Sequence, residues 1–367
     1  LKKTNLAIIG GGPAGLSAAI CAASSGAKIT LIDDSLELGG QLIKQTHKFF
    51  GSKKQFAGIR GIEIAKNLLQ EIKKYKNIEL IGNATVTGYY EDGILTIVQG
   101  SNGDIFIKLL PDRIIVATGA SENMLTFVNN DLPGVYGAGA VQTLMNLYGV
   151  VPGNNVLMVG AGNIGLIVSY QLLQAGIKVE AIVEALPRIG GYLVHASKIR
   201  RLGVPIYTSH SLKEVYGNDG VEKAVISEIN KDFEFIPGTE KELKVDTVCL
   251  AVGLSPLSDL LWQAGCQMKY IAELGGYVAL RDDHMKSSLD NIYIAGDVAG
   301  IEEASSAMLE GKIAGLNAAV SLGYRVDNFL ELNRNLRKEL EELRANPLSE
   351  KVKIGLEKAL LKREVDQ

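Results

Sequence analysis

Two stretches of the chain carry the same order of apolar and small residues. Residues 6–9 form a short apolar run that breaks at Gly10-Gly11-Gly12-Pro13-Ala14-Gly15. A helix-like run, 16–25, follows, then a second apolar run, 28–32, which stops at Asp33 and Asp34 ahead of Gly39-Gly40. The order recurs as 156–159, Gly160-Ala161-Gly162-Asn163-Ile164-Gly165, a helix-like run at 166–175, an apolar run at 178–183, Glu184 and Gly190-Gly191. Each copy passes through β-rich segments (78–90, 94–99 and 105–109; then 204–207, 221–229 and 233–236). Each closes on a matching apolar strand, 112–119 or 246–253. Strand, helix, and a strand with an acid at its end make a βαβ unit, so both halves predict parallel-sheet domains.

After Gly253 no third unit starts. The chain reaches Asn291-Ile292-Tyr293-Ile294-Ala295-Gly296-Asp297 and a small-residue helix at 304–322, which is assigned back to the first domain. The last 44 residues, 324–367, hold 19 charged side chains, and Phe329, Leu332, Leu336, Leu340 and Leu343 recur at helical spacing. That stripe reads either as a helix packed on its own protein or as a docking surface for a partner subunit. The expected fold is α/β, two Rossmann-like three-layer dinucleotide-binding domains, the second inserted in the first: 1–119 with 254–323, then 120–253, then a helical tail, 324–367.

Composition narrows the function classes. With 47% hydrophobic and 22% charged residues, the 367-residue chain can bury ordinary cores. A net charge of −3 gives no footprint for nucleic acid or an anionic membrane surface. The uncharged stretches 6–27 and 151–177 imitate membrane segments, but their glycines argue for a repeated fold unit, and a cytoplasmic location is expected. Cys21, Cys249 and Cys266 are too few and too far apart for a disulfide framework, a metal site or an iron–sulfur cluster.

Gly10, Gly12 and Gly15, set between a strand and a helix, suit a dinucleotide: a tight turn, close approach to a pyrophosphate and close helix–strand packing. Asp33, with Asp34 beside it, stands where an acid meets a ribose. Gly160, Gly162 and Gly165 repeat the pattern with Glu184. A carboxylate there bonds a 2′-hydroxyl and repels a 2′-phosphate, which favours NADH over NADPH, although Arg188 could meet a phosphate. A glycine turn without ligand, or a degenerate second site, is the bland alternative.

Five features together (the first fingerprint, Gly39-Gly40-Gln41-Leu42, Ala117-Thr118-Gly119, the second fingerprint and Ala295-Gly296-Asp297) resemble the pyridine nucleotide–disulfide oxidoreductase superfamily in its short, thioredoxin-reductase-like form. The resemblance covers roughly residues 6–322. It implies FAD in the first domain and a nicotinamide nucleotide in the second, with hinges near Ala120 and Leu254. By that resemblance Gly40 and Gln41 lie along the pyrophosphate and ribityl chain, and Pro13, Ala14 and Leu42 belong to the same implied cofactor site. Asp297, after Gly296, bonds ribityl hydroxyls, and the Val86 backbone meets the adenine. The helix opening at Glu303 and Ala304 faces the flavin N1–C2=O edge. Asn163, Ile164 and Gly253 belong to the implied second site.

The redox cysteine pair of disulfide reductases is missing: 41–50 and 121–155 hold no cysteine. Among cysteine-free relatives the sequence resembles FAD/NAD-binding subunits of heteromeric oxidases and dye-linked dehydrogenases: sarcosine oxidase, opine oxidase, proline dehydrogenase and hydrogen cyanide synthase. Asp131-Leu132-Pro133-Gly134-Val135-Tyr136 and Ile301-Glu302-Glu303-Ala304-Ser305 carry that resemblance. The expected reaction is hydride transfer between NAD(P)H and flavin, with electrons exchanged with a small-molecule substrate or acceptor, a partner dehydrogenase or oxidase subunit, or a small iron–sulfur protein, in a homo- or hetero-oligomer. Two alternatives stay open: an amine- or amino-acid-oxidising flavoprotein with a vestigial second site, and a non-catalytic nucleotide-holding scaffold. Lys44 and His47, after the first glycine pair, are candidates to act on substrate or tune the flavin, or else solvate a loop. His195, His210 and His284 have no companions at triad or metal spacing.

Overall fold

The structure, a computed structural model, describes residues 1–361; the final positions of the charged tail, 362–367, lie outside the described residues. The chain forms two compact units, Leu1–Ser121 with Leu254–Gln367, and Glu122–Gly253.

The first unit opens with β1 (Lys2–Ile9), α1 (Pro13–Ala23), β2 (Ile29–Ile32), α2 (Gly61–Ile72) and β3 (Ile78–Ile81), the three strands pairing in parallel. β4 (Ala84–Tyr89), β5 (Leu95–Gln99) and the first half of β6 (Ile105–Val116) form an antiparallel meander. The second half of β6 runs parallel to β1, with Ile8 opposite Ile115. Strands flanked by α1 and α2 on one side and by the meander on the other are covered on both faces, so their residues are apolar without alternation. α1 begins at Pro13, earlier than the apolar run predicts, because proline at the first helical position lacks only an N–H that would be unpaired there anyway.

β7 (Ala120–Glu122) leads to the second unit. There β8 (Val135–Gly137), α3 (Ala138–Tyr148), β9 (Asn155–Val159), α4 (Asn163–Gln174), β10 (Lys178–Glu184), α5 (Leu193–Arg201) and β11 (Ile206–Thr208) precede an antiparallel trio, β12 (His210–Tyr216), β13 (Lys223–Glu228) and β14 (Lys241–Leu243), and β15 (Thr247–Leu250). The parallel order is β11-β10-β9-β15-β8. The β-rich segment expected at 233–236 is instead a turn with one bridge, Ile229 to Phe235. The Asn230 side-chain oxygen accepts from the N–H groups of Asp232 and Glu234, and Phe233 takes a left-handed φ of 62°. That local bonding competes with a ladder, and the third strand falls at β14.

The chain returns through β16 (Leu254–Pro256), α6 (Asp259–Gln263), β17 (Met268–Ile271) and β18 (Gly276–Ala279) to β19 (Ile292–Ile294), which extends the first sheet beside β6. α7 (Ala304–Ser321), α8 (Phe329–Arg344) and α9 (Glu350–Ala359) follow. α7 lies against α1 at backbone distance: a Cβ at Gly311 would stand 2.1 Å from the Ala14 carbonyl oxygen, and one at Gly315 would stand 2.4 Å from that of Ala18. α8 packs on its own protein. Leu340 is buried in the first unit's core with Leu336 and Leu343 against it, and buried Asn333 bonds Asn317 of α7, whereas Leu332 is exposed.

Candidate cofactor site

β1 ends in a turn whose glycines have different reasons to be glycine. Gly10, at φ 106°, donates to the Ile32 carbonyl at 2.8 Å, and its Cβ would stand 2.2 Å from the Ala117 oxygen. A Cβ at Gly15 would stand 1.8 Å from the Gly10 oxygen. Gly12 has an unstrained φ of −78°, and a Cβ there would meet only the Gly40 Cα, at 3.9 Å. The protein's own backbone therefore requires the first and third glycines, and the middle one leaves room on the outer side of the turn. α1 starts there with no side-chain cap and no acid in its first turn, so its N–H groups face a position suited to an anion.

Asp33, at the end of β2, is buried, and its carboxylate accepts the N–H groups of Gly11 and Ser35. Burial pushes its pKa up, against those two bonds. The acid thus braces the turn from within, while Asp34 beside it is exposed. Gly40 approaches Gly12 so closely that a Cβ on it would stand 2.8 Å from the Gly12 Cα, and Gly39 donates to the Gly11 carbonyl. Gln41, exposed, and Leu42, buried, follow in the 3-10 turn Gly40–Lys44. Lys44 ends that turn, and His47 stacks on Phe49 with ring centroids 5.6 Å apart. β4 starts beside Asp33, whose carbonyl accepts from Ala84 N–H, and Val86 stands at the irregular point of the β4–β5 pairing.

The second unit repeats this bonding. Gly160, at φ 105°, donates to Val183 at 2.7 Å, its Cβ would stand 2.2 Å from the Ala251 oxygen, and a Cβ at Gly165 would stand 2.0 Å from the Gly160 oxygen. Gly162, at φ −73°, would have nothing within 4 Å of an added Cβ. Glu184 accepts from the N–H groups of Ala161 and Leu186. Asn163 spends its side-chain oxygen on the Tyr192 N–H, and Ile164 is partly exposed at the start of α4. Gly119 and Gly253 take φ of 75° and 107° just past the two closing strands. The Thr118 hydroxyl donates to the Leu257 carbonyl.

The third piece of the first site is the segment from Ala295 to Ala304. Ala295 bonds the end of β6, and Gly296, at φ 80°, sits against Ala14, to which a Cβ would come within 2.9 Å. The Asp297 carboxylate accepts from the Glu302 N–H at 3.3 Å, and burial, helped by the Glu310 and Glu302 charges, pushes its pKa up to about 7. α7 opens after Glu303 with neither side-chain cap nor acid in its first turn. Behind it lies a cluster that no sequence motif announces. Glu310 is fully buried and accepts from Gly296 N–H, Arg281 and Arg344, and Arg344 also forks onto Glu302. The available signal was Glu310 itself, the single acid in the small-residue helix. Gly10–Gly15, Gly40 and Gly296 converge in the first unit, whereas Gly160–Gly165 and Glu184 come together in the second.

All three cysteines are free. Burial pushes Cys21 up to about 11 and raises Cys249 and Cys266. Among the described residues no His, Cys, Asp and Glu group is placed to hold a metal, and no helix is long and apolar enough to cross a membrane.

A profile of the pyridine nucleotide-disulphide oxidoreductases matches residues 4–311, from β1 into α7. The chain belongs to that family. It is related to an opine oxidase subunit of Rhizobium meliloti (29% identity, 93% of this chain and 76% of the relative) and to the alpha subunit of sarcosine oxidase from the same species (26%, 84% and 29%). In fold it resembles thioredoxin reductase of T. acidophilum (TM-score 0.69, 21% identity, 87% of this chain and 99% of that one) and L-proline dehydrogenase of P. horikoshii (0.67, 24%, 91% and 59%). The chain thus spans less than a third of the sarcosine oxidase alpha chain and about three fifths of the proline dehydrogenase chain. As an oxidoreductase-family flavoprotein it has FAD and a pyridine nucleotide as implied bound groups. The residues present fit both. Each pyrophosphate would meet an uncapped helix N-terminus beside a glycine that the protein's own packing leaves uncovered, Gly12 or Gly162.

Proposed function

We propose that this chain binds FAD in its first unit and NADH in its second, and delivers electrons to a separate acceptor or partner subunit. When bound, the two groups supply the chemistry, a hydride passing between nicotinamide C4 and flavin N5. The chain's contribution is positional. Gly12 and Gly162 admit the pyrophosphates, Asp297 receives ribityl hydroxyls, and the α7 N-terminus directs about half a positive charge at the edge where negative charge collects.

The observation that carries this reading is the pair Gly12 and Gly162. In each of the two turns glycine stands at a position where neither φ nor a close protein atom demands it. Glu184 supports NADH over NADPH, since its carboxylate stands at the end of β10 where a 2′-phosphate would be repelled. Three separate thiols with raised pKa, two of them buried, support an acceptor other than a disulfide. The relatives' names, oxidase subunits, support a partner.

The test is an anaerobic titration of the FAD-loaded protein with NADH and then NADPH, following flavin absorbance. Stoichiometric bleaching by NADH is expected. Intact yellow protein after both additions would overturn the reading. The relatives' names also favour a second reading, in which an amine or amino acid reduces the flavin; bleaching by such a substrate alone would decide for it.

A further inference from the structure

The geometry points to Arg344, on the C-terminal helix α8, as a positioning residue of the flavin site: through Glu302 and Glu310 it holds the Gly296–Glu303 segment that presents Asp297 and opens α7. This inference rests on the FAD reading above.

Asp297 is fixed by the backbone on either side of it. Before it, the Gly296 N–H donates to Glu310 Oε2 at 2.9 Å; after it, the Glu302 N–H donates to Asp297 Oδ1 at 3.3 Å. The carboxylates of those two glutamates meet at one side chain. Arg344 Nη2 stands 2.6 Å from Glu310 Oε1 and 2.5 Å from Glu302 Oε1, while Nε stands 2.9 Å from Glu302 Oε2. Arg281 gives Glu310 a second guanidinium at 2.5 Å. The group is enclosed: side-chain exposure is 2% for Glu310, 6% for Arg281, 8% for Glu302 and 14% for Arg344. Two positive and two negative charges balance there, and the planar fork of arginine suits a carboxylate at each end.

Without Arg344, Glu310 keeps Arg281, but Glu302 becomes a buried carboxylate with its guanidinium gone. Such a group moves toward water or takes a proton. Either response acts on the residue whose own N–H holds Asp297. α8 lies outside the residues 4–311 that the family profile matches, so the family match does not itself bring Arg344 to the site.

The test compares FAD dissociation constants and melting temperatures of the full-length apoprotein and three variants. Arg344→Met should weaken FAD binding at least about tenfold, the size of one lost charge-assisted contact. Arg344→Lys should recover most of that loss. Leu340→Ala, which loosens the same helix without touching an ion pair, should lower the melting temperature with affinity within about threefold of wild type. FAD binding by Arg344→Met equal to wild type, or an equal loss in Leu340→Ala, would overturn the inference. If Arg344→Met does not fold, Glu302→Gln carries the test with the same expected direction, and unchanged affinity there refutes the inference. Wild-type protein that takes up no FAD overturns the functional reading itself, and this inference with it.

Discussion

At the scale of single residues, the middle glycines make the sharpest prediction. Gly162 has an ordinary φ and no protein atom in the way of a Cβ, so Gly162→Ala should leave stability unchanged or raise it by up to about 1 kcal/mol, through a less flexible unfolded chain. The same methyl would stand where a pyrophosphate must come, so calorimetry should show nucleotide binding lost. Gly165→Ala should do the opposite kind of damage. Its Cβ would stand 2.0 Å from the Gly160 carbonyl oxygen, and a melt should show destabilisation of about 1–3 kcal/mol. Full nucleotide affinity in Gly162→Ala would mean that the open side of the turn is not a ligand site.

Asp297 adds a pH dependence at the same scale. Its folded-state pKa, about 7, is above the unfolded value near 3.9, so the folded protein holds this proton more tightly. The apoprotein therefore loses stability from this group as pH rises from about 4 to about 7, and no more beyond. Asp297→Asn abolishes the loss. Its advantage over wild type should grow across that window to at most about 4 kcal/mol, less where water reaches the carboxyl. Melting curves of both proteins at pH 5 and pH 8 check this, and a difference that does not grow with pH refutes it. Ribityl hydroxyls favour the ionised form, so FAD binding should strengthen over the same window.

Among elements, the decisive contact is α1 against α7. Gly311 and Gly315 face the Ala14 and Ala18 carbonyls, which lets α7 approach the turn that α1 begins and sets Gly296 against Ala14. Gly311→Ala should separate the helices, cost about 1–3 kcal/mol and weaken FAD binding together with stability. A variant with normal stability and weak FAD would place the glycine at the ligand instead. This level was largely readable from sequence. The two runs of strand, glycine turn, helix, strand and acid appear as β1-α1-β2 and β9-α4-β10, because buried parallel strands and glycine turns leave a short-range pattern. The small-residue helix also appears, as α7. What stayed hidden depends on long-range pairing. Asn230 turning the chain back at Phe233 gives no hydrophobic signal, and Arg344 is one of many charges in a charged tail. Its two glutamates lie more than thirty residues away in sequence. Asp33 and Glu184 were readable as acids closing the second strand of each unit, but their bonds to the glycine turns were not.

On the scale of the whole molecule, the two glycine turns proposed to hold nucleotides fall in different compact units, and those units differ in how the chain builds them. The first is made from two separated pieces. The second is continuous, Glu122–Gly253. It has its own five-stranded parallel sheet with apolar cores on both faces, one around Val156, Met158, Leu166 and Ile199, the other around Leu157, Val159, Leu212 and Ile226. Its glycine turn is closed by bonds within the unit, from Gly160 to Val183, from Ala251 to Val159 and from Ala161 to Glu184. A segment of that size with a two-sided core can fold alone. Residues 122–253, expressed by themselves, should therefore unfold cooperatively and bind NADH with about the affinity of the full chain, while holding no FAD. Hydride transfer demands more than either site: the reacting atoms must come within about 3–3.5 Å, and a covalent link holds two modules at an effective concentration that a free module does not reach. The excised unit added to full-length protein carrying Gly162→Ala should consequently bind NADH without restoring flavin bleaching. Bleaching restored in that mixture would show that the second unit acts as a free carrier, and failure of the excised unit to fold would show that its core depends on the first.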